Sequence, residues 1–302
     1  MSKLRGAFTA LVTPMFADGS LDYDGFRNLV RYQLDNGITG LLPLGTTGET
    51  PTLEAVGEEE KIIDIAVEEV TSYKQKQKRD IPLIVGAGSN NTAEAIRYVQ
   101  RAKDKGADYA LVVTPYYNKP SDEGVFRHFE AVSKIGIPII VYNIMGRTGK
   151  NISTPLLMRI ADLPNIAGVK EASGDINQMM EVIAKISRKK SDFCVLSGDD
   201  GLTLPLIAAG GDGIISVVSN VAPALISKLT AAALAGDLDT ARDIHYRLLP
   251  FFKAAFCDGN PTSVKYAMNV KGLPAGGVRL PLVEVSDGAK KTIEAALAEC
   301  GL

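Results

Sequence analysis

Eight short apolar runs, each followed by a loop and then a helical pattern, predict a (β/α)8 TIM barrel with a C-terminal helical appendage. The strand–loop–helix unit recurs at about 25 to 40 residues, and eight units is the number that closes a parallel barrel. The competing open, doubly wound sheet has fewer strands and often a G-x-G-x-x-G turn after its first strand. Here the first run leads instead into Thr13-Pro14-Met15-Phe16. The barrel is expected over residues 1–235 and the helical appendage over residues 236–302.

The first run covers residues 6–12 and is stopped by Pro14. A helix over 23–36 follows, with Phe26, Leu29, Val30 and Leu34 on one face and Gly37 at its end. The second run, 38–44, opens into Gly45-Thr46-Thr47-Gly48-Glu49. A charged helix over 58–76 ends in a basic stretch, Tyr73 to Arg79, expected to be a solvated helix end. The third run, 81–85, opens into Gly86-Ala87-Gly88-Ser89-Asn90-Asn91, which lacks the Lys-Ser/Thr of a phosphate loop. After a helix over 92–105 comes the fourth run, 109–113, and then Thr114-Pro115-Tyr116-Tyr117-Asn118-Lys119-Pro120. A helix over 122–134 precedes the fifth run, 137–142. Beyond a loop over 143–150, Thr154-Pro155 reads as the N-cap and first residue of a short helix. The sixth run ends at Lys170. The seventh, 193–196, leads into Ser197-Gly198-Asp199-Asp200, and the eighth, 213–218, into Ser219-Asn220. Helices over 222–235, 238–256, 262–269 and 287–300 close the chain.

Composition removes several function classes. The 302 residues are 46% hydrophobic and 23% charged, as expected of a globular protein, and the formal net charge of -2 calls for neither nucleic acid nor an anionic membrane. No run approaches the roughly 18 apolar residues of a membrane span, and the N-terminus lacks a signal-peptide core. Cys194, Cys257 and Cys300 are too few and too scattered for a disulfide framework or zinc site, which fits a reducing cytoplasm. His128 and His245, the only histidines, have no metal-ligand spacing. No metal and no cofactor are expected. Acid–base chemistry must then use Tyr, Lys, Asp, Glu or Thr.

Barrel enzymes react at the C-terminal ends of their strands. That rule gathers Thr46 and Thr47, Tyr116 and Tyr117, Tyr142 with Arg147 beyond it, Lys170, and Asp199 with Asp200. A lysine ending a buried apolar strand has its ammonium form penalised, and a neutral amine forms a Schiff base with a ketone. The plain alternative is a lysine whose stem packs while its head reaches water. Tyr142, relayed through the Thr46 hydroxyl, can move protons without histidine. The Thr46-Thr47 turn offers hydroxyl and N–H donors to a 2-oxo acid carboxylate, and Arg147 can grip a second carboxylate. Taken singly these are ordinary features: a tight turn, packed tyrosines, a surface arginine, and an aspartate pair capping the next helix.

The chain resembles the dihydrodipicolinate synthase family, within the N-acetylneuraminate lyase superfamily of pyruvate-dependent aldolases. The resemblance rests on Gly45-Thr46-Thr47-Gly48-Glu49, Thr114 to Pro120, Tyr142-Asn143, Gly168-Val169-Lys170-Glu171-Ala172, Ser197-Gly198-Asp199 and Arg279-Leu280-Pro281-Leu282. It implies Lys170 as the Schiff-base lysine, Tyr142 as proton donor and acceptor, and Thr46 and Tyr117 as the rest of the relay. Tyr117 would reach in from a neighbouring subunit of a dimer of dimers. Thr47 would bind the pyruvate carboxylate, with Ile215 and Gly198 also on the substrate.

Arg147 resembles the arginine that binds L-aspartate 4-semialdehyde, and Thr46-Thr47 stands where sialic acid lyases carry Ser-Thr. Both favour the synthase, which condenses pyruvate with that semialdehyde for lysine and diaminopimelate biosynthesis. Other pyruvate aldolases, acting on 2-keto-3-deoxy sugar acids or N-acetylneuraminate, are the alternative, and a silent barrel serving as a binding subunit is the non-enzyme one. Met145 and Thr262-Ser263 depart from the family's usual proline and Ile-Pro. Asn90, Glu94 and Tyr116 match a lysine-effector site, but Glu54-Ala55-Val56-Gly57-Glu58 replaces the expected histidines, so weak or absent lysine inhibition is expected.

Overall fold

A computed structural model describes residues 3–302. Eight parallel strands form the (β/α)8 barrel that the repeat predicts. They are β1 (Gly6–Ala10), β2 (Gly40–Leu42), β3 (Ile84–Gly86), β4 (Tyr109–Val113), β5 (Ile139–Asn143), β6 (Ile166–Glu171), β7 (Cys194–Ser197) and β8 (Gly213–Ser216). Their order in the sheet is β2-β1-β8-β7-β6-β5-β4-β3. Leu41 of β2 also bridges Leu83, one residue ahead of β3, in parallel fashion.

Strands β1, β2, β3, β5 and β8 are shorter than the apolar runs that announce them. Pro82 and Pro138 have no N–H to give to a ladder, so β3 and β5 begin after them. Their carbonyls still accept, from Leu41 and Ala110 respectively. Downstream, the runs continue as buried turns: Leu44, Val217 and Val218 are buried beyond the ends of β2 and β8.

The chain packs as two compact units. One takes the described residues up to Gly6 with Ile84–Ile215, the other Ala7–Leu83 with Ser216–Leu302. In the first unit the strands alternate between two faces. Ala110, Val112, Ile139, Val141, Val169 and Val195 join Phe129, Val132, Leu157, Ile160 and Met179 of the helices in one buried apolar cluster. Each of the Val, Leu, Ile, Phe and Met side chains among them contributes about 1.5–3 kcal/mol by leaving water. In the second unit Phe8, Leu29, Val30, Ile62, Ile63, Phe251, Val264, Met268 and Ile293 are buried.

Several helix starts are capped by short polar side chains, each taking up an amide that the helix cannot satisfy. Asp22 accepts from Gly25, Asn91 from Ala93, Ser121 from Gly124 and Asp175 from Asn177. The helix Thr154–Ala161 departs from expectation: its N-cap is Ser153, which accepts from Leu156, so Thr154 and Pro155 are the first two helical residues. The loop expected over 143–150 contains a short helix, Met145–Thr148, closed by Gly149 at φ +69°. The basic stretch after Tyr73 is only partly solvated. The helix ends at Gln77, and Arg79 turns back to donate to the carbonyls of Gly37 and Ile38. Among the described residues no helix is long and apolar enough to cross a membrane.

Candidate active site around Lys170

Strand alternation sorts the ends of β5 and β6 into two faces. In their register Tyr142 lies opposite Lys170, and Asn143 opposite Glu171. The first pair shares one face. The Lys170 Nζ lies 4.2 Å from the centroid of the Tyr142 ring. Both side chains are buried, Lys170 to 5% exposure.

Burial dominates the electrostatics of the amine. It pulls the Lys170 pKa down from 10.5 to about 7, with the Arg147 guanidinium pushing the same way and Asp200 opposing. The ring face of Tyr142 also attracts an ammonium, yet desolvation wins. The result is an amine that is about half free base at neutral pH, and the free base is the state a Schiff-base nucleophile needs.

The Lys170 stem has its place because position 198 has no side chain. A Cβ on Gly198 would stand 2.7 Å from the Cβ of Ala172, and 3.1 and 3.2 Å from Cε and Cγ of Lys170. Gly198 N–H donates to the Glu171 carbonyl at 2.7 Å, which holds the turn after β7 against β6. Ile215 is fully buried in β8. Arg147 is exposed on its short helix, near enough to lower the Lys170 pKa. Asp199 caps the following turn by accepting from Gly201, as a helix cap would. Asp200 is not the cap but the first residue of that turn: it is 1% exposed and attracts the Lys170 proton. Sequence reasoning took both aspartates for caps, since nothing local separates a buried carboxylate from an exposed one.

The tyrosine pair behaves differently. Tyr117 has φ +71° and is 89% exposed, while Tyr116 is 36% exposed. A bulky residue in left-handed backbone costs roughly 1–2 kcal/mol. Nothing in its own unit buries the Tyr117 ring, whereas Lys170 and Tyr142 are both buried. Asn90 and Glu94 lie near the start of the helix after β3. The Asn90 carbonyl accepts from the Asn118 side chain at 2.9 Å, and Glu94 accepts from Ser89 at 2.9 Å.

The opposite face of β5 and β6 carries a network that sequence reasoning missed. Asn143 and Glu171 are both fully buried. Asn143 Nδ2 donates to both Glu171 oxygens at 3.1 Å and to Asn151 Oδ1 at 2.8 Å, while its Oδ1 accepts from Ile152 N–H at 2.9 Å. Ser173 N–H donates to Glu171 at 2.8 Å and Gln178 Nε2 at 3.4 Å. Burial pushes the Glu171 carboxyl above its ordinary range, and these donors oppose that rise. A signal was available: a polar residue at each of two paired strand ends, on the face turned away from the chemistry.

Thr46 and Thr47 belong to the second unit, in the single turn Thr46–Gly48. Thr47 is 2% exposed, and its Oγ1 accepts from Asn260 Nδ2 at 3.1 Å. With that lone pair engaged, the hydroxyl proton is directed elsewhere. Glu49, at φ +57°, is anchored by Lys265: Nζ donates to Oε1 at 2.7 Å and to the Thr13 carbonyl at 2.9 Å. Arg279 N–H donates to the other Glu49 oxygen at 3.2 Å. The Thr13 hydroxyl donates to the Gly48 carbonyl at 2.7 Å. Three residues from beyond position 259 thus fix the threonine turn, a relation no local motif announces. Among the described residues there is no group of three or more His, Cys, Asp or Glu side chains arranged to hold a metal ion.

Comparison with known proteins gives a consistent result. A family model described as the dihydrodipicolinate synthetase family matches residues 3–300. The 4-hydroxy-tetrahydrodipicolinate synthase of Protochlamydia amoebophila is 50% identical over 297 residues, 98% of this chain and 96% of the relative. Among solved structures, dihydrodipicolinate synthase from Thermotoga maritima is 44% identical, covers 99% of each chain and gives a TM-score of 0.93. A chloride-inhibited dihydrodipicolinate synthase from Acinetobacter baumannii, complexed with pyruvate, is 37% identical, covers 99% of each chain and gives 0.92.

Proposed function

This chain belongs to the dihydrodipicolinate synthetase family, and on that premise we propose that it condenses pyruvate with L-aspartate 4-semialdehyde through an imine on Lys170. The product is 4-hydroxy-tetrahydrodipicolinate, for lysine and diaminopimelate synthesis. One observation carries the residue assignment: a buried lysine amine, with a pKa of about 7, lies 4.2 Å from the centroid of a tyrosine ring at a paired strand end.

Lys170 attacks the pyruvate ketone. The carbonyl oxygen takes up two protons and leaves as water, and the C=N bond forms. The iminium withdraws electrons, so the methyl group loses a proton and becomes an enamine carbon nucleophile. That carbon bonds to the aldehyde carbon of the semialdehyde, whose C=O opens and whose oxygen takes up a proton to become the hydroxyl, while the enamine returns to the iminium. The adduct's own amine then displaces Lys170 from the imine carbon, which closes the ring and regenerates the free lysine. Tyr142, with Thr46 and Tyr117 as relay, moves the protons. Thr47 binds the pyruvate carboxylate with its hydroxyl, and Gly198 and Ile215 shape the pyruvate end. Arg147 holds the semialdehyde carboxylate.

The barrel, 1–235, is the catalytic body and 236–302 its appendage. The protein works as a cytoplasmic homo-oligomer, a dimer of dimers in which Tyr117 serves a neighbouring copy; its 89% exposure supports that assignment. Asn90, Glu94 and Tyr116 form the lysine-effector site, with weak or absent inhibition; half-inhibition by lysine well below millimolar overturns that last point.

The deciding experiment is pyruvate consumption by purified protein with and without L-aspartate 4-semialdehyde. Consumption that requires the semialdehyde supports the synthase. If there is none, borohydride reduction with pyruvate separates the rest. A mass gain on Lys170 points to a sugar-acid or sialic acid aldolase, and no gain to a silent barrel.

A further inference from the structure

The Asn143–Glu171 pair lies one residue beyond Tyr142 and Lys170 on the same two strands, facing the other way. Its carboxylate is fully buried, and its partners are amides and a backbone N–H rather than a cation. An ionisable group in such a place is costly, and an apolar pair of similar volume would pack there at lower cost. The network also reaches past the strands. Asn143 accepts from the Ile152 N–H, and Gln178 Nε2 donates to the Ile152 carbonyl at 3.1 Å. Gln178 Oε1 accepts from Asn151 Nδ2 at 2.8 Å. The segment between Asn143 and Ile152 is therefore pinned at both ends, and it carries Arg147.

We propose that Glu171 is a positioning residue: with Asn143 it locks the ends of β5 and β6 in register, so that Tyr142 and Lys170 keep their approach and Arg147 keeps its place. The inference rests on the function proposed above, because it assigns Tyr142 and Lys170 to the same proton transfers. Strand geometry makes the coupling direct. Successive side chains alternate faces, so a slip at Asn143–Glu171 is a slip at Tyr142–Lys170. A misplacement of about 1 Å at reacting groups costs on the order of 100-fold in rate.

The test is a swap. Glu171→Gln and Asn143→Asp each turn the donor–acceptor pair into two like groups, and the double variant restores it with the roles exchanged. Steady-state kinetics with both substrates, the rate of borohydride trapping with pyruvate, and thermal melting are measured on all four proteins. Each single variant is expected to lose about 10- to 100-fold in kcat, with the pyruvate KM changed less than about threefold. The double variant should regain most of that loss. Unchanged kcat in a folded single variant overturns the proposal, and so does a double variant no better than the singles, because a loss of packing alone is not repaired by exchanging roles. Should the buried variants fail to fold, Asn151→Ala at the half-buried rim replaces them: a fall in kcat at constant melting temperature supports the network, and an unchanged kcat overturns it. Wild-type protein that traps pyruvate yet ignores the semialdehyde would instead refute the proposed function. The trapping rates of the four proteins would then still decide whether the pair positions Lys170.

Discussion

Lys170 Nζ and the Tyr142 ring, 4.2 Å apart from nitrogen to centroid, sit opposite one another across the β5–β6 ladder. Because the ladder fixes both backbones, the approach is a property of the strands rather than of two mobile side chains. It also explains why burial of the lysine is tolerated. The amine is neutral above about pH 7 and faces an aromatic surface instead of an unsatisfied void.

Imine formation should therefore follow the free amine. With a pKa of about 7, kcat/KM for pyruvate should fall tenfold per pH unit well below 7 and level off above it. Stability should move with pH as well. Unfolded Lys170 holds its proton up to about 10.5 and the folded residue only to about 7. Between those values the unfolded state binds more protons, so stability rises with pH across that window. Lys170→Met should abolish pyruvate trapping. It should raise the melting temperature by about 2–4 °C or more below pH 7, since roughly 1 kcal/mol corresponds to that shift, and the gain should shrink toward pH 10. A melting temperature that drops at pH 6 would contradict the assignment of a desolvated amine.

Arg147 and Asp200 act on that amine in opposite directions. Arg147→Ala should raise the Lys170 pKa and shift the trapping profile to higher pH. Asp200→Asn should lower the pKa and shift the profile to lower pH. Arg147→Ala should also cost about 100-fold or more in turnover with L-aspartate 4-semialdehyde, because a charged, two-pronged carboxylate contact is worth a few kcal/mol. Trapping at the optimum pH should stay within about threefold of wild type. Equal losses in both assays would remove Arg147 from the second substrate.

Gly198→Ala tests whether space, rather than charge, sets the lysine's course. The added methyl would meet the Ala172 Cβ at 2.7 Å and the Lys170 stem at 3.1 Å. A methylene forced into a packed site typically costs about 1–3 kcal/mol. Here the flexible partner is the lysine, so Lys170 should move. Pyruvate trapping is expected to slow about 10- to 100-fold while circular dichroism stays unchanged. An unimpaired variant would show that the stem has another route.

Much of this was legible because it is written locally. Strand ends, caps and helix faces follow from apolar runs and their punctuation, and the barrel rule then collects Lys170, Tyr142, Thr46, Thr47 and Arg147 without any geometry. The Met145–Thr148 helix escaped, because one turn holding two glycine neighbours has too little periodicity to declare itself. Asp200 escaped because capping and burial look alike in sequence. Glu171 lay inside the very motif that marked Lys170, yet only the partner strand reveals Asn143 beside it. Lys265 and Glu49, 216 residues apart, share nothing that a linear reading connects.

That last pair gives the prediction with the largest stability effect. Lys265 and Glu49 are 1% and 0% exposed, and their ion pair is 2.7 Å long. Burial lowers the Lys265 pKa, and Glu49 opposes the shift. Removing one member leaves the other charge buried without its partner, at about 3–5 kcal/mol. Lys265→Met should therefore unfold at markedly lower urea, and Lys265→Met with Glu49→Leu should recover part of the loss. Function should not recover with it. Glu49 closes the turn that presents Thr47, through Lys265 on one oxygen and the Arg279 N–H on the other. The double variant should thus keep a raised KM for pyruvate, by about tenfold if one hydrogen bond to the carboxylate is weakened, even where its urea midpoint approaches wild type. A variant that regains stability and pyruvate affinity together would mean that the threonine turn holds its shape without the buried pair, leaving Asn260 and the Thr13–Gly48 bond to do so.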